Sequence, residues 1–320
     1  MIKIASLFAG VGGIDLVFEN AGFSVVYANE IDPYPAETYN LNFKIKVDNR
    51  DISNIRASEI PDFDVMVGGF PCQAFSIAGA REGFGDKKGR GTLFFEMIRI
   101  IKEKETLGKK PQALFFENVK NLQTHDKGNT FKVILETLKE IGYHTHYKVL
   151  NAKDYGNIPQ NRERIYIVAF LDKEAFNKFS FVDILPIDRT IKIKDIVDNA
   201  KLSSHLYYDE SFKHYDTLKS AITNPDRVYQ WRRRYVRENK NEVCPTLTAN
   251  MGMGGHNVLL ILTAYGIRKL TPRECFSFQG FPGDFKLPTL ANSRLYKQAG
   301  NSVAVSVVQR IAEQIRKAFN

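Results

Sequence analysis

The chain has 320 residues and a formal net charge of +9, from 45 Lys and Arg against 36 Asp and Glu. Hydrophobic residues make up 43% of it, which is typical of a folded globular protein and excludes a disordered chain. Three widely spaced cysteines, Cys72, Cys244 and Cys275, argue against a disulfide framework and favour a reducing, cytoplasmic compartment. The excess positive charge indicates a polyanionic partner such as nucleic acid.

Secretion, membrane insertion and metal binding are not predicted. The apolar run that follows Met1 is interrupted by Asp15 and Glu19, which disfavours a signal peptide. Another long apolar run, residues 258–262, is far shorter than the ~20 residues that span a bilayer. No cysteine pair has metal-ligand spacing, and the sequence contains no HExxH motif.

The amino-terminal region has the pattern of a strand, a glycine turn and a helix. Residues 3–8 predict the strand, Ala9-Gly10-Val11-Gly12-Gly13 the turn, and the apolar spacing beyond it a helix that ends near Gly22. A second strand, residues 23–28, leads to Asn29-Glu30, and an acid at this position suits hydrogen bonds to a ribose diol. The pattern therefore predicts a nucleotide-like cofactor, of either nicotinamide or adenosyl type.

A cysteine follows the next buried strand. This strand is predicted at residues 63–67 and is stopped by two glycines and Pro71, so Cys72 lies where parallel α/β sheets bind their ligands. A thiol at this position is a candidate nucleophile, and the alternative is a small, inert buried side chain. The loop at residues 80–91 is rich in glycine and charge and lacks apolar periodicity, which predicts mobility.

Strands and helices continue to alternate up to about residue 170. Helices are predicted at residues 92–101 and 130–141, and strands at 112–116, 147–150 and 164–170. This alternation predicts an α/β fold with a doubly wound, mainly parallel sheet. Glu117 ends one strand, and Arg162 and Arg164 lie at the start of another. Taken alone, Glu117 and these arginines also fit surface ion pairs without a catalytic role.

The pattern changes after about residue 175, and residues 181–265 are predicted to form a second, smaller domain. Arginines cluster between Asp226 and Lys240 and are interleaved with Tyr229, Trp231 and Tyr235. A glycine-rich loop, residues 245–257, follows this cluster. The combination fits nucleic-acid binding, and the alternative is a solvated basic face.

Six motifs, in this order along the chain, resemble those of the DNA (cytosine-5)-methyltransferases of bacterial restriction–modification systems. They are Phe8-Ala9-Gly10-Val11-Gly12-Gly13, Pro71-Cys72-Gln73, Glu117-Asn118-Val119, Gln160-Asn161-Arg162-Glu163-Arg164, Arg273-Glu274-Cys275 through Gly280-Phe281-Pro282, and Gly300-Asn301-Ser302-Val303. The resemblance implies a Rossmann-like S-adenosylmethionine-dependent methyltransferase fold. It divides the chain into a discontinuous catalytic domain, residues 1–180 and 266–320, and a target-recognition domain, residues 181–265.

The resemblance also implies four catalytic residues. Cys72 would add to C6 of a flipped-out cytosine, which makes C5 nucleophilic towards the methyl group. Glu117 would contact ring N3 and the exocyclic amine, and Arg164 would bind the carbonyl oxygen of the base. Arg162 would orient Glu117 or bind a neighbouring phosphate.

The cofactor that the resemblance implies is S-adenosylmethionine. Phe8 would pack on its adenine, Glu30 would bind the ribose hydroxyls and Asp51 the adenine amine. Asn301 and Ser302 would close the pocket around the methionine part of the cofactor. The full set of expected cofactor contacts is Phe8, Gly10, Val11, Gly12, Gly13, Glu30, Ile31, Asp51, Ile52, Pro71, Leu93, Asn301 and Ser302.

The expected partner is double-stranded DNA. A lid formed by residues 73–91 would close over the flipped base, and the smaller domain would recognise the target sequence. The expected DNA contacts are Gln73, Ser76, Arg81, Lys87, Lys88, Arg90, Arg232, Arg233, Arg234, Thr246, Asn250 and His256. We expect a cytoplasmic monomer without a metal, and a restriction endonuclease that acts separately on the same sequence.

Three other functions are left open by the sequence. The first is an RNA cytosine-5 methyltransferase of the same fold, which the basic smaller domain disfavours only modestly. The second is a nicotinamide-dependent oxidoreductase in which Cys72 is structural, and this leaves Glu117 and the arginines unexplained. The third is a catalytically silent DNA-binding module, which would not need the cysteine or the glutamate.

Overall fold

The computed structural model describes residues 1–70, 93–232, 234–252 and 256–320. In these ranges the strands are β1 Lys3–Leu7, β2 Ser24–Asn29, β3 Val65–Gly68, β4 Ala113–Val119, β5 His144–Asn151, β6 Glu163–Phe170, β7 Tyr229–Arg232, β8 Val236–Glu238, β9 His256–Thr263 and β10 Gly266–Lys269. The α-helices are α1 Gly13–Asn20, α2 Pro33–Asn42, α3 Leu93–Thr106, α4 Asn129–Glu140, α5 Ala152–Tyr155, α6 Lys173–Lys178, α7 Tyr215–Ala221, α8 Pro272–Phe278, α9 Asn292–Asn301 and α10 Val305–Ala318.

The larger sheet has six strands in the order β2-β1-β3-β4-β6-β5. The first four are parallel, whereas β6 runs antiparallel to β4. This confirms the predicted α/β fold with a mainly parallel sheet. In the register, Leu7 pairs with Gly68 and Gly68 with Phe116, so β1, β3 and β4 end side by side. The residues that follow these three strands are therefore neighbours, although they are far apart in sequence.

The core of the larger sheet is apolar and fully buried. Apolar residues recur at helical spacing in α3 and α4, and these faces pack on the sheet; Met97, Ile101, Ile134 and Leu138 are all 0% exposed. Burial of such side chains stabilises the fold by ~1.5–3 kcal/mol each. This core fixes the strand ends that carry the candidate site.

The smaller sheet is antiparallel, with four strands in the order β10-β9-β7-β8. Side chains alternate along β7, so Tyr229 and Trp231 pack into an apolar cluster with Leu218 of α7 and Leu260 of β9. Gln230, between them, points to the opposite face of the sheet. One face of this sheet is therefore apolar and covered, and the opposite face carries Gln230 beside the buried Leu259 and Ile261 of β9.

Contacts divide the chain into two compact units. The larger comprises residues 1–150, 163–185 and 308–320, and the smaller comprises residues 151–162 and 186–307. The smaller unit thus includes residues 266–307, which the sequence assigns to the catalytic domain, so the predicted functional boundaries stay a prediction. Among the described residues, no helix is both long and apolar enough to cross a membrane.

Candidate active site and DNA-binding surface

The glycine turn after β1 has an unusual backbone. Phe8, Gly10 and Gly12 have φ angles of +55°, +57° and +86°, in the left-handed region that is costly for residues other than glycine. Gly12 caps α1, and a Cβ on it would come within 2.2 Å of the Phe43 ring. No heavy atom of the described residues lies within 4 Å of a Cβ on Gly10. The turn is therefore closely packed on one side and open on the other.

Glu30 ties this turn to the end of β2. Its Oε2 accepts a hydrogen bond from the backbone N–H of Gly10 at 2.9 Å, and its Oε1 accepts one from Asp32 at 2.8 Å. The structure thus brings Glu30 to the glycine turn, and its contact with a ribose stays a prediction.

Asp51 follows at the next predicted cofactor position. Its carboxylate caps the short 3₁₀ helix Ile52–Asn54 and accepts hydrogen bonds from the N–H and Oγ of Ser53 at 2.9 and 2.8 Å. These bonds lower the pKa of Asp51 below its ordinary value. Ile52 is buried, whereas Ile31 is 56% exposed, and Leu93 is half-buried at the start of α3. Ile31 is thus available for a ligand, and Ile52 belongs to the core.

A buried acid lies beneath the glycine turn, and the sequence did not single it out as a functional residue. Asp15 in α1 is 0% exposed and accepts hydrogen bonds from Ser6 Oγ at 2.8 Å and from the Tyr39 hydroxyl at 3.1 Å. Burial raises its pKa from 3.8 to about 7, despite these hydrogen bonds. Tyr39 stacks on Phe43, the ring that packs against Gly12. The side chains of Asp15, Tyr39 and Phe43 therefore support the glycine turn through the contact of Phe43 with Gly12.

Glu117 and Arg164 meet at the end of β4. Arg164 of β6 pairs with Val119 in the strand register, and its Nε lies 3.0 Å from Glu117 Oε1. Only 12% of each side chain is exposed. Glu117 Oε1 makes no hydrogen bond of good geometry within the described residues, so it keeps capacity for a donor from a ligand. Glu117 Oε2 lies 3.5 Å from the position of a Cβ on Gly69.

Asn118 connects this pair to the segment that leads to Cys72. Its Nδ2 donates a hydrogen bond to the carbonyl oxygen of Phe70 at 2.8 Å. The Phe70 ring is buried against Phe94 and Phe116, so the last residue described before Pro71 is fixed beside Glu117. Residues 71–92 and Arg233 lie outside the described part of the chain. The predictions that fall on them are the lid and the functional contacts of Pro71, Cys72, Gln73, Ser76, Arg81, Lys87, Lys88, Arg90 and Arg233.

Arg162 lies in the smaller unit and is 2% exposed. Its guanidinium donates to the carbonyl oxygens of Leu247 at 3.0 Å, Gly300 at 3.2 Å and Ser302. It therefore joins three segments that are distant in sequence. These contacts show a structural role that the sequence did not predict, and the expected orientation of Glu117 by Arg162 stays a prediction.

Two buried glutamines extend this network, and the sequence did not identify either as functional. Gln160 Nε2 donates to the Phe278 carbonyl at 2.7 Å, and its Oε1 accepts from the N–H of Leu247 at 3.2 Å. Gln279 Nε2 donates to the Ala299 carbonyl at 2.6 Å. Both glutamines occur inside the quoted motifs, but only their burial at 0% exposed shows that they pair backbone groups.

Gly300 and Ser302 lie at the end of α9. A Cβ on Gly300 would come within 2.3 Å of the Thr248 carbonyl carbon, so the two backbones are in direct contact. Ser302 is buried and Asn301 is exposed. The backbone of Thr248 therefore packs against the Gly300-Asn301-Ser302 motif within the smaller unit.

A polar pocket with a volume of about 630 Å³ lies beside β7. Of the expected DNA contacts, Arg232 and Thr246 line it. Arg234 and Asn250 are exposed outside its lining. His256 begins β9 and pairs with Arg232 in the register; its side chain is outside the described part of the chain. Arg232 donates a hydrogen bond to Oδ1 of Asn257, a residue that the sequence does not predict as functional.

The family profile of the C-5 cytosine-specific DNA methylases matches residues 2–317. The chain belongs to this family. The methylase is 58% identical over 322 residues to the Type II methyltransferase M.Bsp6I from Bacillus sp. (strain RFL6), with 100% of both chains covered. It is 37% identical over 342 residues to the Type II methyltransferase M.HhaI from Haemophilus parahaemolyticus, with 100% of this chain and 95% of the relative covered.

Solved structures confirm the fold of this methylase. The S. pombe Dnmt2 methyltransferase superposes with a TM-score of 0.76 at 20% identity, and the alignment covers 100% of both chains. The Entamoeba histolytica methyltransferase EhMeth gives 0.75 at 17% identity, with 100% and 99% covered. Within the described residues, no group of three or more His, Cys, Asp or Glu side chains is arranged to hold a metal ion.

Proposed function

We propose that this DNA (cytosine-5)-methyltransferase uses S-adenosylmethionine, acts on a cytosine flipped out of duplex DNA and is the modification enzyme of a restriction–modification system. One observation carries the assignment of the site. The Glu117–Arg164 pair lies at the ends of neighbouring strands, and Asn118 fixes Phe70, two residues before Cys72, beside it. The two relatives named above are Type II methyltransferases, which supports the biological role.

The residues at the ends of β1 and β2 fit S-adenosylmethionine. Open space beside Gly10 allows an adenosyl ligand to approach the backbone, and Glu30 presents carboxylate oxygens at the same turn. Ile31 offers an exposed apolar surface to the adenine, and Asp51 offers a charged acceptor to its amine. When bound, the cofactor supplies an electrophilic methyl group on a sulfonium centre.

Cytosine C5 is a weak nucleophile, so the protein must activate the base. We infer that the Cys72 thiolate adds to C6, which forms an S–C6 bond and moves the C5–C6 π electrons into an enamine. Glu117 holds a proton at N3, and Arg164 donates to the carbonyl oxygen, so the charge that develops on the ring is stabilised. After C5 accepts the methyl group, loss of the C5 proton breaks the S–C6 bond and restores the aromatic ring and the thiolate.

The target base must leave the duplex to reach these groups, at a cost of a few kcal/mol. Binding to the phosphate backbone offsets this cost, and the net charge of +9 supports such binding. We propose that Arg232, Arg234, Thr246, Asn250 and His256 contact the DNA. We propose that the enzyme acts in the cytoplasm, where duplex DNA and the cofactor are available, as a monomer beside a separate endonuclease.

The experiment is to incubate the protein with duplex DNA and S-adenosylmethionine labelled in the methyl group. Glu117→Gln should lower kcat by about 10²–10⁴-fold because it removes the acid–base group, with little change in DNA affinity. Glu163→Gln is the matched control, since Glu163 forms an exposed ion pair with Lys120, and it should stay active. Cys72→Ala should abolish methylation and keep DNA binding.

The same assay separates the other functions. Label in transfer RNA but not in duplex DNA would favour the RNA methyltransferase, and DNA binding without label would favour a silent module. Turnover with a nicotinamide cofactor and no label would favour the oxidoreductase. A fully active Cys72→Ala variant would contradict the assignment of the nucleophile.

A further inference from the structure

The face of the smaller sheet opposite Tyr229 and Trp231 carries an unfilled hydrogen-bond acceptor. Gln230 of β7 is 5% exposed, lines the pocket of about 630 Å³, and its Oε1 has no hydrogen-bond partner among the described residues. Leaving a buried polar group unpaired costs about 1–3 kcal/mol, so its presence here indicates a ligand that donates to it. Its neighbour across the register in β9 is Leu259, an apolar side chain that has no donor to offer.

A donor group stands directly beside this acceptor. Arg237 of β8 is opposite Gln230 in the antiparallel register, so both side chains lie on the same face, and both line the pocket. The Arg237 guanidinium makes no hydrogen bond or ion pair with the residues that the structure describes, and it is exposed. Arg232, two residues along β7, is instead bound by Asn257.

The bulge in β9 explains this difference between the two arginines. The register of β7 with β9 shifts between Trp231 and Arg232, and Asn257 has a φ of +72° at this point. This backbone directs the Asn257 side chain to Arg232. Arg232 is therefore held in place by the protein, whereas the donors of Arg237 are unpaired among the described residues.

The charge of the pocket fits a nucleic acid. Lys153, Arg232, Arg237 and Lys240 line it, and the one lining acid, Glu238, is already paired with Arg227. The donors of Arg237 lie next to the acceptor of Gln230, so the ligand must present acceptors beside a donor. In the major groove a G·C pair presents the guanine O6 and N7 acceptors beside the cytosine N4 amino donor, and an arginine fork matches the guanine edge.

We propose that Gln230 and Arg237 recognise one G·C base pair of the target sequence, separate from the flipped cytosine. Arg237 donates to guanine O6 and N7, and Gln230 Oε1 accepts a hydrogen bond from cytosine N4. The inference rests on the proposed function, because it assigns these residues to the specificity of the same reaction. It adds to the expected DNA contacts two residues that the sequence did not select.

The test is a methylation profile on a library of random duplex DNA, sequenced for methylated cytosines. The wild type defines the target sequence and the preference at each position. Gln230→Met and Arg237→Met should each relax the preference at the same G·C position by about ten-fold, with the other positions unchanged. Gln230→Glu keeps an acceptor of similar length, so it should retain the preference for cytosine at that position.

The matched control is Lys219→Met, which removes one positive charge from exposed α7 on the covered side of the sheet and should leave every preference unchanged. Because each preference is a ratio within one sample, a partly folded variant still reports it. Three results would overturn the inference: unchanged preferences in both variants, a uniform loss of methylation with Arg237→Met, or relaxation at an A·T pair. A wild type that methylates no DNA would overturn the proposed function and this inference together.

Discussion

Replacing the buried Asp15 by asparagine should change how stability depends on pH. Burial raises the pKa of Asp15 from 3.8 to about 7, so the folded protein keeps this proton at a pH where the unfolded chain has lost it. The folded state therefore binds more protons between these two values, and stability falls as pH rises through this window. The contribution of Asp15 is fully present below the unfolded pKa and is lost above the folded one.

The magnitude follows from the two pKa values. They differ by about three, and each pH unit corresponds to ~1.4 kcal/mol, so complete ionisation of Asp15 costs about 4 kcal/mol. About 2.5 kcal/mol of this is lost between about pH 5 and pH 8. Asparagine fits the same space and can pair with the hydroxyls of Ser6 and Tyr39, but it does not titrate.

The assay is urea unfolding of the wild type and Asp15→Asn at these two pH values, followed by circular dichroism. The wild type should lose about 2.5 kcal/mol more than the variant on going to the higher pH. Ser6→Ala removes a hydrogen bond that lowers the pKa of Asp15, so its loss of stability should move to higher pH. An identical pH dependence in the wild type and Asp15→Asn would refute the reasoning.

Two further variants test packing in the smaller unit by thermal or urea unfolding. Glu274→Gln breaks the buried ion pair with Arg268, whose nitrogens lie 2.6 and 2.9 Å from the carboxylate, and should cost about 3–5 kcal/mol; a loss below about 1 kcal/mol would contradict this. Gly300→Ala forces its Cβ against the Thr248 backbone and should lower both stability and DNA methylation strongly, whereas Gly283→Ala, which has open space, should behave as the wild type; equal behaviour of the two would contradict the contact.

The local features of the site could be predicted from sequence. The glycine turn, Glu30 and Glu117 each follow an apolar strand, and in a parallel α/β sheet the carboxyl ends of strands share one edge. Strand prediction therefore sufficed to bring these residues together. The registers of β2 with β1, of β1 with β3 and of β3 with β4 confirm that these strand ends lie side by side.

The roles of several buried polar residues could not be predicted in this way. Arg162 and Gln160 belong to one polar motif, yet their partners, Leu247, Ser302 and Phe278, lie more than 80 residues away. A sequence shows which groups can form hydrogen bonds but not which carbonyls long-range packing leaves unpaired. The sequence predicts a catalytic role for Arg162, and the structure adds hydrogen bonds to the backbone of Leu247, Gly300 and Ser302 that the sequence does not predict.

The sequence by itself determined the chemistry that this methylase can perform, because cysteine, glutamate and arginine at strand ends and a glycine turn are local patterns. Only the tertiary structure decided which of these groups are buried and what they face. Asp15 acquires its raised pKa, and Gln230 its unfilled acceptor, from elements that pack around them. Desolvation and hydrogen-bond pairing depend on every neighbour in space, and that information is not contained in the spacing of residues along the chain.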